Sequence, residues 1–343
     1  MLAARIHGKE DVRIEDLDRP QPGPGEVLVR VRTATTCGTD LKVFLRGSHA
    51  KMIRLPARFG HEGAGEIAGF GAGVKNFKEG DRVVWNNSAP CGACFYCKKD
   101  MPSLCEDLLF LNGTYAEYVV IPERIVRLNL LPIPKNLSFD TAAMTEPFAC
   151  VLHGADEIGI GKDDTVVVLG DGAIGLYFIT ACHLRGARTY LIGGSEERLT
   201  LGKTLGAAGT LSRRAGRDPA AWICDETGRE YGPDIVVEAV GQPPAWEDAA
   251  RIVRSGGKVL LFGGCPRDTT VTFSTERIHY DALTLKGVFH NTPKYVRQSL
   301  EILSGAEGEK LSKLLAAPAP LADLPAALQK MRDRKALKVP IRP

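Results

Sequence analysis

The sequence predicts an α/β protein in which a β-rich domain is interrupted by a domain with a doubly wound parallel sheet. Residues 26–32 alternate apolar and polar side chains with period two, as a half-buried strand does. From about residue 160, short apolar runs alternate with helical stretches, which is typical of a parallel sheet covered on both faces. The expected domains are residues 1–148 with 288–343, and residues 149–287.

Composition excludes several classes of protein. A chain of 343 residues with 44% hydrophobic and 25% charged residues is large enough for two cores. Its net charge of +3 is too small to indicate nucleic acid or an anionic membrane as a partner. No apolar run approaches the ~20 residues of a membrane span. Nine cysteines, an odd number, favour a reducing compartment, so we expect a cytoplasmic protein.

Glycines punctuate the β-rich region after the first strand. Five of them, Gly65, Gly69, Gly71, Gly73 and Gly80, fall between residues 63 and 84. Because glycine accepts backbone conformations that other residues avoid, the pattern predicts tight bends between short strands.

Four cysteines form a C-x2-C-x2-C-x7-C run at Cys91, Cys94, Cys97 and Cys105. The short gaps let neighbouring thiolates converge on one ion, and the longer gap brings back a fourth sulfur. Structural Zn²⁺ prefers such a closed, all-sulfur tetrahedron. An iron–sulfur cluster or disulfides are the alternatives, but the ferredoxin spacing ends in x3-C-P, whereas Glu106 follows Cys105 here.

The inserted domain shows repeated strand and helix patterns. Apolar runs predict buried strands at 165–169, 189–192, 235–240 and 258–262. Helical patterns lie at 173–185, 197–205 and 245–255, and a further helix is expected at 295–303 in the closing segment.

A glycine-rich loop follows the first of these strands and opens a helix. It reads G-x-G-x-x-G, with Gly170, Gly172 and Gly175 as the glycines and Ala173 and Ile174 between the last two. The first glycine allows a tight turn, the second lets the backbone approach a pyrophosphate, and the third permits close helix packing. The loop therefore predicts dinucleotide binding at a helix N-terminus. A glycine turn without a ligand is the alternative.

The end of the next strand bears on which dinucleotide binds. NAD sites usually carry Asp or Glu there, for the ribose 2′-hydroxyl. This chain instead has Gly193, Gly194 and Ser195, with Arg198 close behind. A hydroxyl and a guanidinium can bind a 2′-phosphate, although two neighbouring glutamates dilute the charge. The pattern favours NADP over NAD.

Three further segments carry metal-ligand residue types: Cys37 in Thr-Cys-Gly-Thr-Asp, His61 in Gly-His-Glu-Gly-Ala-Gly, and Glu146 in Thr-Glu-Pro. Together with G-H-E-x-x-G-x5-G-x2-V over residues 60–74, these segments resemble the zinc-dependent medium-chain dehydrogenase/reductase family, in its sorbitol dehydrogenase-like branch. The similarity runs the length of the chain. It implies a GroES-like catalytic domain, an inserted Rossmann domain, and hydride transfer between an alcohol and NAD(P).

The resemblance also implies a catalytic zinc bound by Cys37, His61 and Glu146, with Glu62 beside the metal. Cys150, one helical turn after Glu146, is the rival third ligand. Three protein ligands leave a fourth position for the substrate, as a catalytic zinc requires.

Two residues after Cys37, Thr39 matches the family hydroxyl that accepts the alcohol proton. Lys42 stands where relatives often carry a histidine that passes the proton on, and it could instead bind a cofactor phosphate or ribose. The family further implies a homodimer or homotetramer.

Competing functions remain open at this point. The Glu-Pro ligand segment favours secondary alcohols, such as polyols and sugar alcohols, by analogy with its branch. L-threonine 3-dehydrogenase is the enzymatic alternative, since that branch also carries Cys-Gly-Thr-Asp and a four-cysteine loop. A non-enzymatic alternative is an NADP(H)-binding zinc-knuckle sensor or a nucleic-acid-binding protein.

Overall fold

The structure is a computed structural model that describes residues 1–47 and 53–343. It divides into two compact units, Met1–Ala149 with Asn291–Pro343, and Cys150–His290. Among the described residues, no helix has the length and apolar character needed to cross a bilayer.

The elements follow in chain order. The first segment contains β1 (Leu2–Gly8), β2 (Asp11–Asp16), β3 (Val27–Thr35), α1 (Gly38–Arg46), β4 (Ala57–Arg58), β5 (Gly63–Phe70), β6 (Arg82–Trp85), β7 (Ser88–Ala89), α2 (Phe95–Lys98), β8 (Leu109–Phe110), β9 (Tyr118–Ile121), α3 (Glu123–Asn129), β10 (Leu130–Pro132), α4 (Phe139–Ala142) and α5 (Thr145–Ile158). The middle segment contains β11 (Thr165–Leu169), α6 (Ala173–Leu184), β12 (Arg188–Gly193), α7 (Glu196–Thr204), β13 (Gly209–Ser212), α8 (Pro219–Thr227), β14 (Ile235–Glu238), α9 (Pro243–Ile252), β15 (Lys258–Leu261), α10 (Thr275–Tyr280) and β16 (Thr284–Gly287). The closing segment contains α11 (Pro293–Leu303), α12 (Ala306–Ser312), β17 (Ala319–Pro320), α13 (Leu324–Arg332) and β18 (Pro340–Arg342).

The first unit is built around strand β3. It lies in a seven-stranded sheet of order β10-β6-β5-β3-β18-β17, with β9 also paired to β3. Apolar side chains of β3 such as Val27, Val29 and Val31 enter the core with Phe59 and Tyr115. The strand runs to Thr35 rather than ending at residue 32, so the segment that follows it leaves directly from the sheet.

The glycine pattern after residue 63 marks bends at only some of its positions. Gly65 and Gly69 lie inside the eight-residue strand β5, contrary to the expected bends. At Gly65 the requirement is space, because a Cβ there would lie 2.2 Å from the carbonyl oxygen of Arg30 on β3. Gly73 and Gly80 do take left-handed conformations, with φ of 91° and 85°.

The second unit contains a six-stranded parallel sheet of order β13-β12-β11-β14-β15-β16. Counted within the unit this is 3-2-1-4-5-6, the order of dinucleotide-binding folds. All five residues of β11 are buried, as the apolar run predicts. The loops after β11 and β12 therefore leave the same edge of the sheet, since parallel strands share a direction.

Two boundaries in the second unit differ from the sequence pattern for identifiable reasons. Strand β14 ends at Glu238 rather than at residue 240, because the Glu238 carboxylate accepts the N–H groups of Val240 (2.7 Å) and Gly241 (2.8 Å). Helix α9 begins at Pro243, two residues early, since proline is well suited to the first helical turn.

Candidate active site and cofactor loop

Cys37 is held at a junction between strand and helix. It follows β3 and caps α1, and its Sγ accepts the N–H of Thr39 at 3.4 Å. The Asp40 carboxylate accepts the N–H of Cys37 in return, at 3.1 Å. This reciprocal capping fixes the backbone and the sulfur together, so the sulfur has a defined position before any ligand binds.

Asp40 also contacts His61, a role that sequence reasoning missed. Its Oδ1 lies 3.1 Å from Nδ1 of His61, and its Oδ2 accepts the hydroxyl of Tyr115 at 2.6 Å. Burial opposes the charged ring of His61, yet the Asp40 carboxylate and the Cys37 sulfur raise its pKa well above the usual value. Asp40 therefore orients both Cys37 and His61. An acidic residue three positions after a helix cap is a recognisable capping pattern, and this pattern could have indicated Asp40 from the sequence.

Glu62 is fully buried and carries its own counter-charge. Its Oε2 accepts the hydroxyl of Thr35 and lies 2.5 Å from Nζ of Lys338. Lys338 is 2% exposed and also donates to the carbonyl of Thr36, at 2.9 Å. No local signal could identify Lys338, because the chain separates it from Glu62 by 276 residues.

The structure brings Cys37, His61 and Glu62 together. One ligand atom from each lies within 4.8 Å of the others, and the site lies at the carboxyl end of β3. Within the described chain, Oε1 of Glu62 is buried without a hydrogen-bond partner. A cation satisfies such an oxygen, and a sulfur–nitrogen–oxygen set is one that zinc accepts. The residues present therefore fit a zinc ion.

Glu146 lies in the first turn of α5 and is buried. Nδ2 of Asn291 approaches both its Oε1 and its main-chain oxygen, at 3.4 Å each. In the described structure Glu146 is not a member of the Cys37–His61–Glu62 cluster. Cys150 lies one turn further along the same helix.

Thr39 and Lys42 both lie on α1, and both are partly buried. The Thr39 amide donates to the Cys37 sulfur, which holds the backbone of Thr39 close to that sulfur. The structure thus positions the two residues on the helix that Cys37 caps, and their chemical roles stay predictions.

Two buried side chains, Thr114 and Trp85, pack against the glycines near His61. A Cβ at Gly60 would lie 2.5 Å from Oγ1 of Thr114, and one at Gly63 would lie 2.7 Å from the Trp85 ring. Among the described residues, neither that Thr114 hydroxyl nor Nε1 of Trp85 has a hydrogen-bond partner. Each such group costs about 1–3 kcal/mol unless a ligand or water satisfies it.

The four-cysteine run closes on itself within its own loop. The sulfurs of Cys91, Cys94, Cys97 and Cys105 lie within 4.8 Å of one another. Sγ of Cys94 lies 3.8 Å from that of Cys105, well beyond the ~2.05 Å of a disulfide and close to the ~3.8 Å edge of a tetrahedron with 2.3 Å Zn–S bonds. The sulfur positions therefore fit a structural zinc.

Main-chain N–H groups donate hydrogen bonds to these sulfurs and so favour the thiolate form that binds a cation. Sγ of Cys91 accepts the N–H groups of Ala93 and Cys94, at 3.4 and 3.3 Å. Hydrogen bonds from the backbone of Cys97 and Glu106 lower the pKa of Cys94 to about 6. Burial, followed by contact with the neighbouring thiols, raises the pKa of Cys97 to about 12.

The glycine loop has the geometry of a phosphate cradle. Gly170 has φ of 116°, and a Cβ on Gly175 would lie 1.8 Å from the Gly170 carbonyl oxygen. Gly172 caps the twelve-residue helix α6, and a Cβ built on it meets no atom within 4 Å. Free N–H groups at a helix start beside open space fit a pyrophosphate.

Asp171, inside this loop, is a third residue that sequence reasoning missed. Its buried Oδ2 accepts the N–H groups of Gly194 and Ser195, at 2.8 Å each. Ser195 caps α7, which carries a partly buried Arg198 in its first turn. The two loops that follow β11 and β12 are thus tied together by one carboxylate.

Family models match most of the chain. Residues 23–135 match the alcohol dehydrogenase GroES-like domain, and residues 173–305 match zinc-binding dehydrogenase. Sorbitol dehydrogenase of Bacillus subtilis (strain 168) is 31% identical over 89% of this chain and 86% of its own. An L-threonine 3-dehydrogenase of Alteromonas mediterranea is 30% identical over 83% of each chain.

Among solved structures, a protein of Sinorhizobium meliloti 1021, described as a zinc-binding dehydrogenase and bound to NADP, superimposes with a TM-score of 0.89. It shares 26% identity, and the match covers 100% of this chain and 99% of the other. The chain belongs to the zinc-dependent medium-chain dehydrogenase/reductase family, as an NAD(P)-dependent alcohol/polyol oxidoreductase.

Proposed function

We propose that this oxidoreductase acts on a secondary hydroxyl of a polyol or sugar alcohol, at a zinc bound by Cys37, His61 and Glu146. The observation that carries the proposal is the cluster of Cys37, His61 and Glu62, in which the buried Oε1 of Glu62 has no hydrogen-bond partner among the described residues. The 31% identity to a sorbitol dehydrogenase supports the polyol class.

The proposed ligand set is one thiolate, one imidazole and one carboxylate, which leaves a tetrahedral position for substrate. Because Nδ1 of His61 faces Asp40, Nε2 is the ligand atom. Glu62 would lie beside the metal, because its carboxylate belongs to the same cluster as Cys37 and His61. Cys150 is the other candidate for the third ligand, so replacing Glu146 with Gln should remove the catalytic zinc, whereas Cys150→Ser should retain it. The reverse result would assign Cys150.

Once bound, the zinc supplies Lewis-acid polarisation of the substrate oxygen, and the nicotinamide supplies the hydride acceptor. The chain supplies position and proton transfer. We assign Thr39 as the first acceptor of the hydroxyl proton, because its backbone is fixed on the sulfur of a ligand. Lys42, three residues further along α1, is assigned to the outer end of that proton path.

The Thr39 assignment has a direct test. Thr39→Val keeps the side-chain shape but removes the hydroxyl, so kcat should fall about 10²–10⁴-fold while both zinc ions stay bound. Thr39→Ser restores the hydroxyl and should recover most of the rate. Normal turnover in the valine variant would exclude this role.

The remaining site residues belong to the four-cysteine loop and to the dinucleotide-binding loops. We assign Cys91, Cys94, Cys97 and Cys105 to a second, structural zinc. Dinucleotide binding is assigned to the two loops that follow β11 and β12, through Gly170, Gly172, Ala173, Ile174, Gly175, Gly194, Ser195 and Arg198.

We assign the extra hydroxyls of a polyol to two polar atoms near His61 that have no hydrogen-bond partner among the described residues. Those hydroxyls can satisfy Oγ1 of Thr114 and Nε1 of Trp85, which a simple alcohol leaves unpaired. Thr114→Val should therefore lower kcat/KM for a sugar alcohol about tenfold and leave that for 2-butanol unchanged. Equal losses on both substrates would contradict the polyol assignment.

L-threonine oxidation is the second candidate, since relatives of that name are about 30% identical. Initial rates for sugar alcohols, smaller polyols, 3-hydroxy amino acids and simple alcohols, each with NAD and with NADP, decide between them. The proposal expects the highest kcat/KM among polyols. A preference of more than tenfold for L-threonine would replace it.

We further propose that the β-rich domain (residues 1–148 and 288–343) performs catalysis and that residues 149–287 bind the cofactor. A cytoplasmic homodimer or homotetramer is the corresponding assembly. Sedimentation of the purified protein tests the oligomeric state, since a monomer at micromolar concentration would exclude it.

A further inference from the structure

The position where NAD enzymes usually carry an acidic residue is Gly193 in this chain, at the end of β12. Sequence alone therefore leaves the ribose subsite without a carboxylate. The structure supplies one from the preceding loop, because Oδ2 of Asp171 lies 2.8 Å from the amide nitrogens of both Gly194 and Ser195.

Asp171 and Gly193 depend on each other sterically. A Cβ built on Gly193 would lie 2.5 Å from Cβ of Asp171 and 2.8 Å from its Oδ2. A larger residue at 193 is therefore incompatible with the observed Asp171 side chain. The carboxylate thus lies next to the point from which an aspartate at 193 would project.

We propose that Asp171 discriminates against a 2′-phosphate and so makes the subsite prefer NAD over NADP. The inference rests on the proposed cofactor loop and reverses the preference that the sequence pattern favours. In most dinucleotide-binding domains the residue at the end of the second strand selects between NAD and NADP. Here the proposal assigns that selection to Asp171 in the glycine loop.

Charge and hydrogen-bonding capacity both support this preference. Backbone N–H groups near a helix start are natural donors to a phosphate, and the carboxylate of Asp171 already accepts the two that immediately precede α7, those of Gly194 and Ser195. A carboxylate accepts a hydrogen bond from a ribose hydroxyl but repels a phosphate dianion.

Arg198 acts in the opposite direction, because a guanidinium attracts a phosphate. However, Asp171 is 5% exposed, whereas Arg198 is only partly buried. The more deeply buried charge is less screened by solvent, so its repulsion should outweigh the attraction by Arg198.

Fluorescence titration of the purified enzyme with NADH and with NADPH tests the proposal without turnover. The native protein should bind NADH more tightly. In Asp171→Asn the ratio of Kd for NADPH to Kd for NADH should fall at least tenfold, because the charge is removed while the shape is kept. Asp268→Asn, an exposed loop change with the same loss of charge, should leave the ratio unchanged.

A second experiment moves the carboxylate from position 171 to position 193, and it distinguishes a change in cofactor preference from misfolding of a single variant. Gly193→Asp alone should lower Tm, because its side chain collides with Asp171. The double variant Asp171→Gly, Gly193→Asp should regain Tm and the preference for NADH. A ratio unmoved by Asp171→Asn, or a native preference for NADPH, would overturn the proposal. Failure to bind either dinucleotide would instead refute the cofactor loop itself.

Discussion

The two candidate metal sites of the first unit are built in opposite ways. The four-cysteine site comes from one loop, residues 91–105, and its own backbone N–H groups bond its sulfurs. The site of Cys37, His61 and Glu62 joins separate segments, and buried Asp40 and Lys338 hold it in place. A metal site whose four ligands come from one loop is suited to stabilising that loop. A site whose residues come from separate segments can leave one coordination position open for a substrate.

The largest effect should come from Cys37→Ser. Because the sulfur is both helix cap and proposed ligand, kcat/KM should fall by at least about 10⁴-fold. Zinc analysis should show one ion lost and one retained, since the four-cysteine loop is untouched. Retained turnover with two zinc ions per chain would contradict the assignment.

Lys338→Met should produce the next largest effect, on folding. The change leaves Glu62 buried without its cation, which costs about 3–5 kcal/mol of unfolding free energy. Denaturant unfolding measures the loss. The double variant with Glu62→Gln removes both charges and should recover more than half of it; no recovery would show that the pair is not the cause.

Cys94→Ser should unfold the loop without touching the ligands of the other site. Loss of a structural zinc should cost about 2–5 kcal/mol, comparable with loss of a disulfide in a small domain. Tm and zinc content measure the effect. Cys224→Ser, a change far from both clusters in sequence, should alter neither and serves as the control.

Asp40→Asn should have the smallest effect, because it keeps shape and one acceptor. Weaker orientation of His61 should reduce affinity for the catalytic zinc about 10–100-fold, as measured by competition with a chelator. Affinity at the four-cysteine loop should not change. Equal weakening at both sites would show a global rather than a local effect.

The sequence predicts a site well when its residues are close together in the chain, and poorly when they come from distant segments. The four-cysteine cluster and the glycine cradle are local, so the spacing of their residues is enough to indicate them. Glu62 could be placed beside Cys37 and His61 only by resemblance. Lys338 could not be predicted, because nothing near it in the chain records its contact with Glu62.

By itself the sequence determined the fold class, the strand-loop-helix that forms the phosphate cradle and the four-sulfur loop, since these depend on interactions between near neighbours in the chain. Only the tertiary structure decided which carboxylate orients His61, what balances the charge of Glu62, and that the side chain of Asp171 lies against Gly193. Those contacts depend on side chains that long-range strand pairing and close packing bring together, and no local pattern encodes them.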